Sequence, residues 1–201
     1  MNSRLLWDIK AWLYLHIRKI APFGFFLHQE NKALKSLIAR VPLDSGIVTD
    51  LGTGLGNALS FFQSGFTRIG IDLNLNMLKF AKQRNEGYYI QSDILNTSIK
   101  NESADIVLMC GVWEYIKDRY ALLSEIKRIM KRNSYAVITY SPPRFLTRLR
   151  IFFGLKIYPI AEEHIREYML ENGFEIMALS RCMLQHQLLI KKSEANGTSQ
   201  I

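Results

Sequence analysis

Apolar residues near the start of the chain recur every three or four positions, which is the spacing of one face of an α-helix. This pattern covers residues 3–20, and its apolar stripe includes Leu5, Ile9 and Trp12. Residues 21–24, Ala-Pro-Phe-Gly, are typical of a break after this helix. A second helix is predicted at about 29–40, before Val41-Pro42.

After residue 45, short apolar runs alternate with helical stretches. Strands are predicted at 46–51, 68–71, 88–91, 104–110, 135–140, 174–179 and 183–191, and helices at 56–64, 75–84, 119–131 and 162–171. Alternation of this kind predicts a mostly parallel sheet with helices on both faces. About three residues separate the last two strands, too few for a parallel crossover, so these strands should be antiparallel neighbours.

The predicted fold class is therefore α/β: a doubly wound, Rossmann-like, mostly parallel seven-stranded sheet with one antiparallel strand near the C-terminus. We expect an N-terminal helical cover over residues 1–45 and the α/β domain over residues 46–192. The polar residues 193–201 are predicted to be a disordered tail.

Composition suits one such domain, and the positive charge of the chain is concentrated in two segments. The chain has 201 residues, 48% of them apolar, which is enough for a full core. Its net charge of +8 is concentrated in two places: residues 1–45 hold seven Lys or Arg against three acids, and residues 141–156 hold four with no acid. A local surplus suits an acidic partner, although solvated faces are the plain alternative.

The two cysteines, Cys110 and Cys182, fit no metal-ligand spacing, and no metal site is predicted. They indicate small buried side chains in a reducing, cytoplasmic compartment. No run of about 18 uncharged apolar residues suits a membrane span. No signal-peptide pattern is evident at the start of the sequence.

A glycine-rich loop, Gly52-Thr53-Gly54-Leu55-Gly56, follows the first predicted strand. Glycine allows a tight turn and a close approach of a ligand to the backbone, and the helix expected at 56–64 would offer free N–H groups. Asn57 stands where the dinucleotide fingerprint needs its third glycine. Asp50 would repel a pyrophosphate and attract an ammonium group. A nicotinamide oxidoreductase is therefore the weakest alternative.

Two further carboxylates, Asp72 and Asp93, follow the next two predicted strands. Asp72 can accept hydrogen bonds from both hydroxyls of a ribose, and it can also cap the helix that begins near Leu75. Asp93 can accept a hydrogen bond from an adenine amino group.

In their order and spacing, residues 48–138 resemble the class I S-adenosylmethionine (SAM)-dependent methyltransferases, in particular the compact group that acts on small molecules. The resemblance implies a methyltransferase with SAM as its cofactor and S-adenosylhomocysteine (SAH) as the cofactor product. The residues that it implies as cofactor contacts are Asp50, Gly52, Thr53, Gly54, Gly56, Asp72, Leu73, Met77, Asp93, Ile94 and Cys110.

Residues 105–116 look like the fourth motif of that family. They lack the Asn/Asp-Pro-Pro-Tyr pattern of the nucleobase methyltransferases. Trp113-Glu114-Tyr115 stands where related quinone O-methyltransferases carry Leu-Glu-His, and Gly111 replaces the acid that they use for a metal. Glu114 and Tyr115 are the candidates to face the substrate in catalysis, and a helix-capping or solvent-facing pair is the alternative.

The methyl acceptor is expected to be a small, lipophilic or anionic molecule. Residues 3–20 and 141–159 should cover the active site, and both segments combine basic with apolar residues. The same composition suits contact with a membrane surface. An RNA methyltransferase would use the basic residues on phosphates, although no RNA-binding module is recognisable. A non-catalytic SAM-binding partner protein also remains open, because methyl transfer needs alignment more than a dedicated catalytic residue.

Overall fold

A computed structural model of the chain describes residues 23–144, 147 and 156–193. The helix predicted at 3–20, most of the basic segment 141–156 and the predicted tail from residue 194 onward lie outside the described residues.

Seven strands form one sheet in the order β3-β2-β1-β4-β5-β7-β6. The pairs among β1 to β5 are parallel, and β7 is antiparallel to both of its neighbours, β5 and β6. The predicted doubly wound sheet with one antiparallel strand is confirmed. The strands are β1 (Gly46–Leu51), β2 (Phe66–Asp72), β3 (Tyr88–Gln91), β4 (Ala104–Met109), β5 (Met130–Tyr140), β6 (Phe174–Arg181) and β7 (His186–Lys192).

Four α-helices lie in the described part of the chain: α1 (Phe23–Ile38), α2 (Leu75–Arg84), α3 (Arg119–Ile129) and α4 (Glu162–Glu171). The bounds of α2 and α4 are those predicted. Helix α3 ends before the predicted residue 131 because Met130 already pairs with Ala104 as the start of β5. Helix α1 begins at Phe23 rather than near residue 29. The helix break expected over 21–24 is therefore wrong at residues 23 and 24, which are already helical.

The helix predicted at 56–64 is wrong. Turns and a single 3-10 helix, Leu59–Phe61, stand in its place. The Ser60 hydroxyl donates to the carbonyl of Asn57 at 2.7 Å, a local hydrogen bond of the kind that competes with helix geometry. The glycine loop therefore does not lead into an α-helix.

Alternate residues of the central strands point to opposite faces of the sheet, and each face has its own core. On one face, Ile106 and Leu108 of β4 pack with Leu34 and Leu37 of α1. On the other face, Val107 and Met109 pack with side chains of α3 and α4 that include Leu122, Ile126, Ile165 and Met169. Burial on both faces explains why the strands read as continuous apolar runs.

A buried carboxylate connects α3 to the loop before β4. Glu125 Oε1 accepts hydrogen bonds from the backbone N–H of Thr97 at 2.7 Å and from its hydroxyl at 2.6 Å. Arg128 contacts both carboxylate oxygens, at 2.6 and 2.7 Å. Burial by itself would raise the pKa of Glu125, but these donors outweigh it, and the pKa lies below the ordinary value.

We expect Glu125→Gln to lower the free energy of unfolding by about 1.5–3 kcal/mol at neutral pH, because charge-assisted hydrogen bonds are lost. The folded-state pKa of Glu125 is depressed, so this contribution is present above pH 4.5 and is lost as the pH falls through the lower folded value. Urea denaturation at several pH values measures the effect. Glu175→Gln, at an exposed position of β6, is the control and should change stability by less than about 0.5 kcal/mol. Equal effects of the two substitutions would contradict this role.

Candidate functional site

The predicted cofactor residues meet at one edge of the sheet. Strands β1, β2 and β4 run parallel, so their carboxyl ends lie side by side. Asp50 pairs with Gly70 of β2 on one side and with Leu108 of β4 on the other. In folds of this type, ligands bind in the crevice outside the carboxyl ends of the strands.

The glycine loop is held by backbone hydrogen bonds and by one carboxylate. The N–H groups of Gly52 and Thr53 both donate to the carbonyl of Ile71, at 2.8 and 2.9 Å. The N–H of Gly54 donates to Asp72 Oδ2 at 2.9 Å. Asp72 thus connects the loop after β1 to the end of β2, the position at which a ribose-binding acid is expected.

The helix cap is Asn74 rather than Asp72. The Asn74 side chain accepts hydrogen bonds from the N–H groups of Asn76 and Met77 at the start of α2. Asp72 Oδ1 in turn accepts from the N–H of Asn74 at 2.8 Å. Burial raises the pKa of Asp72, and the hydrogen bonds from Asn74 and Gly54 oppose that rise.

Asp50 is a buried carboxylate with an unsatisfied oxygen. Only 2% of its surface is exposed. Burial raises its pKa to about 7, the nearby Thr53 side chain opposes that rise, and the Asp72 charge adds a smaller rise. Among the described residues, Asp50 Oδ1 and Thr53 Oγ1 have no hydrogen-bond partner. Buried polar atoms are rarely left without one, so this pair of oxygens is suited to a ligand that brings donors, such as an ammonium group.

The glycines of the loop differ in what surrounds them. Gly52 and Gly54 both have positive φ angles, 75° and 52°. A Cβ atom at Gly52 would lie 2.4 Å from Val112 Cγ2, whereas one at Gly54 would meet no atom within 4 Å. The open space above the loop is therefore at Gly54, and Gly52 is needed for packing. Gly56 has a positive φ of 73° and packs against Ala81 and Asn85.

The remaining predicted cofactor residues are placed in different ways. Leu73 is 63% exposed beside Asp72, and Met77 is buried against Leu55. Asp93 is exposed, and its Oδ1 accepts from the N–H of Leu95 at 2.9 Å, while Ile94 lies in the core on the α3 side. Cys110 follows β4, and its pKa is raised by burial and by the Asp50 charge. Their contacts with a cofactor stay a prediction.

Glu114, a candidate catalytic residue, is only 1% exposed. Its Oε1 accepts hydrogen bonds from the Ser141 hydroxyl at 2.9 Å and from Gln185 Nε2 at 3.3 Å. The Gln185 amide oxygen accepts from Thr139 Oγ1 at 3.1 Å, and Thr139 Oγ1 accepts from the N–H of Gly111 at 2.7 Å. We call Gly111, Glu114, Thr139, Ser141 and Gln185 the polar wall.

Glu114 is thus neither solvent-facing nor free to move, and the polar wall joins the ends of β4 and β5 to the turn before β7. Tyr115, the second candidate, is half-buried in the same 3-10 turn, Trp113–Tyr115. Sequence reasoning missed Thr139, Ser141 and Gln185. No motif distinguishes them, since only the pairing of β5 with β7 brings them to the site.

The described residues lack both a metal-binding cluster and a membrane-spanning helix. They contain no group of three or more His, Cys, Asp or Glu side chains arranged to hold a metal ion. Within the same residues, no helix has the length and apolar character needed to cross a membrane.

Residues 49–138 match the family described as a methyltransferase domain. The malonyl-[acyl-carrier protein] O-methyltransferase of Marinomonas sp. is 28% identical over 170 residues, which cover 79% of this chain and 62% of that protein. The demethylmenaquinone methyltransferase of Thermotoga maritima is 25% identical over 160 residues, 76% of this chain and 69% of that protein. The chain therefore spans less than two thirds of the length of the Marinomonas relative.

Among solved structures, the chain is similar to the magnesium protoporphyrin IX methyltransferase of Synechocystis PCC 6803 with bound SAH. The TM-score is 0.75 at 20% identity, and the match covers 92% of this chain and 94% of that one. Sheet order and this likeness agree on the fold that the sequence predicted, that of the class I SAM-dependent methyltransferases, and the matched methyltransferase domain covers residues 49–138.

Alanine at the two loop glycines should separate binding from packing. We expect Gly54→Ala to leave the fold intact and to weaken SAM binding at least about tenfold, since the methyl group enters the open space. Gly52→Ala pays a similar backbone cost and also collides with Val112, so it should lower stability by about a further 1–3 kcal/mol. Calorimetric SAM titration and thermal unfolding measure the two effects. A Gly54→Ala protein with unchanged SAM affinity would show that this space is not the cofactor's.

SAM affinity should depend on pH through Asp50. Its pKa of about 7 in the free protein means that the carboxylate is increasingly protonated below neutrality and then attracts an ammonium group less. We expect affinity to fall by up to about tenfold per pH unit between pH 7 and 5.5, as for one linked proton. Asp50→Asn should bind weakly without this slope, whereas Asp93→Asn, at an exposed position, should keep it. A pH-independent affinity in the unsubstituted protein would contradict the assignment.

Proposed function

We propose that this protein transfers a methyl group from SAM to a small-molecule acceptor that has an apolar body. The observation that carries the proposal is the pair of unsatisfied buried oxygens, Asp50 Oδ1 and Thr53 Oγ1, beside the open space at Gly54. The site also combines two carboxylates with raised pKa values, Asp50 and Asp72. Such a site disfavours phosphate and suits a cationic ligand.

The residues of the chain fit the parts of SAM. Asp50 and Thr53 would bind the amino-acid group through its ammonium. Asp72 would bind the ribose hydroxyls, and the exposed Asp93 the adenine amino group. When bound, SAM supplies an electrophilic methyl group on a sulfonium centre, so the protein has mainly to bind, orient and exclude water.

Glu114 acts in this proposal by holding the acceptor side of the site in shape. Its carboxylate fixes Ser141 at the end of β5 and Gln185 in the turn before β7. A buried carboxylate that accepts two side-chain hydrogen bonds positions its donors precisely. The polar wall would thus form the boundary against which an acceptor is aligned, beside Cys110.

The acceptor class is inferred from charge and from relatives. Arg144 and Lys156 lie in the segment between β5 and α4 and are exposed. Residues 141–156 carry four basic residues and no acid. The named relatives act on a malonyl thioester acid, a quinone and a porphyrin. A lipophilic molecule with an anionic group matches both the basic segment and the acceptors of these relatives. The basic residues of this segment also suit approach to an anionic membrane surface.

A panel of acceptors tests the proposal directly. We expect SAM and SAH to bind in calorimetry and NAD⁺ not to bind. SAH release should follow with at least one of four acceptors: a malonyl thioester, trans-aconitate, a demethylmenaquinone analogue and magnesium protoporphyrin IX.

Glu114→Gln should lower kcat about 10–100-fold with SAM affinity unchanged, because the acceptor side loses its alignment. The matched control is Glu163→Gln, at an exposed position of α4, which should leave kcat unchanged.

Three different results would contradict the proposal, and each would favour a different alternative. Binding of NAD⁺ in place of SAM would overturn the cofactor assignment. Methylation of RNA, with affinity that falls steeply with salt, would favour the nucleic-acid alternative. SAM binding without turnover of any acceptor would favour a non-catalytic partner protein.

A further inference from the structure

A buried histidine lies at the same edge of the sheet as the cofactor loop. Because β7 is antiparallel, its first residue, His186, lies opposite Tyr140, the last residue of β5. Only 4% of the His186 surface is exposed. The preceding residue, Gln185, belongs to the polar wall, which reaches Gly111 beside Cys110. His186 therefore stands on the acceptor side of the site, one residue from that wall.

The contacts of the His186 ring are asymmetric. Nδ1 lies 3.2 Å from the Tyr140 hydroxyl and 3.6 Å from Glu162 Oε2. Arg181 holds Glu162 through two hydrogen bonds, one of them from Nε at 2.8 Å. The rings of His186 and Tyr140 pack edge to face, with centroids 5.4 Å apart. Nε2 is buried and has no hydrogen-bond partner in the described part of the chain.

An Nδ1–H can donate to the Tyr140 oxygen at 3.2 Å, and the negative charge of Glu162, 3.6 Å away, favours a proton there, which leaves a lone pair on Nε2. This is the arrangement in which an imidazole serves as a general base and a carboxylate orients it. A buried lone pair without a donor is costly, so the site is complete only when a donor reaches Nε2.

Burial and two nearby cations disfavour the protonated form of the His186 ring. Burial lowers the pKa of His186, and Arg144 and Arg181 lower it further, while Glu162 opposes them. The groups that face the ring thus come from β5 (Tyr140), the segment after it (Arg144), α4 (Glu162) and β6 (Arg181). A neutral imidazole at neutral pH can accept a proton.

We propose that His186 is the general base for methyl transfer to a hydroxyl acceptor, such as a phenol or an enol, and this rests on the function proposed above. As the acceptor oxygen forms its bond to the methyl carbon, Nε2 takes the hydroxyl proton. The carbon–sulfur bond breaks with its electron pair remaining on sulfur, which yields SAH. The imidazolium then releases its proton to water.

The base specifies a class of acceptor. A carboxylate is already ionised at neutral pH and needs no base, whereas a phenol, with a pKa of about 10, does. Glu162 and Tyr140 are positioning residues, because they contact the ring, and Arg181 acts on the ring through Glu162.

The kinetic test uses 1-naphthol and 1-naphthoate as matched probes. We expect His186→Gln to lower kcat for 1-naphthol at least about 100-fold with little change in KM, and to remove the fall in rate on the acid side of the pH profile. SAM affinity, measured by calorimetry, should be unchanged. Transfer to 1-naphthoate, where it occurs, should be little affected. Imidazole should partly restore 1-naphthol turnover in His186→Gly. His164→Asn, at an exposed position of α4, is the control.

A second measurement needs no acceptor. In ¹⁵N-histidine-labelled protein at pH 7, long-range ¹H–¹⁵N NMR should find His186 protonated at Nδ1 and unprotonated at Nε2. Glu162→Gln should increase the share of the other tautomer. The signal is assigned by its absence in His186→Gln, or by its response to Tyr140→Phe if that protein does not fold.

A proton on Nε2 at pH 7 would overturn the proposal, as would an unchanged kcat for 1-naphthol in a folded His186→Gln protein. An equal loss with both probes would make His186 a packing residue. If neither probe is methylated, the NMR result decides. Failure of the proposed function appears separately, as the absence of SAM binding in the unsubstituted protein.

Discussion

The burial of the end of β1 is the constraint on which the site depends. This strand pairs with β2 on one side and β4 on the other, and its last four residues are buried. Asp50 is therefore fixed in a position where water cannot solvate its charge, and its pKa rises to about 7. A buried carboxylate of this kind costs stability unless it is paired. A cationic ligand would offset this loss of stability by pairing with the carboxylate. The burial of Asp50 would therefore favour cationic over anionic ligands.

The glycine loop differs from that of a dinucleotide site in the charged and polar groups that lie beside it. No α-helix follows the loop directly, so the loop itself does not end in a helix N-terminus. The N–H of Gly54 is instead occupied by Asp72. The loop thus presents two carboxylates in place of free N–H groups, and the same Asp72 charge that orders the loop helps to raise the pKa of Asp50. Both effects act against a phosphate and in favour of a cation.

The antiparallel strand organises the other half of the site. A parallel β7 would begin at the opposite edge of the sheet, far from the cofactor loop. Because it runs antiparallel between β5 and β6, its first residues lie beside the end of β5. Gln185 then meets Glu114 and Thr139, and His186 meets Tyr140 and Glu162. The residues proposed to bind the cofactor and those proposed to act on the acceptor therefore lie along a single edge of the sheet.

The sequence by itself determined the features that have a local cause. The apolar runs and helical periodicities located the seven strands and helices α2 and α4, and the short connection before β7 determined its direction. Asp50 and Asp72 were recognised because they stand at strand ends beside a glycine loop. Local patterns also misled, since residues 56–64 have helical character but form turns and a 3-10 helix.

Only the tertiary structure decided which side chains meet. The cap of α2 is Asn74 because Asp72 is engaged by Gly54, 18 residues earlier. Gln185 contacts Glu114 across 71 residues of sequence, and Tyr140 contacts His186 across 46. Such contacts depend on sheet order and register, which are fixed by the packing of the whole core. No short stretch of sequence carries that information, because its free energy is gained only when distant segments come together.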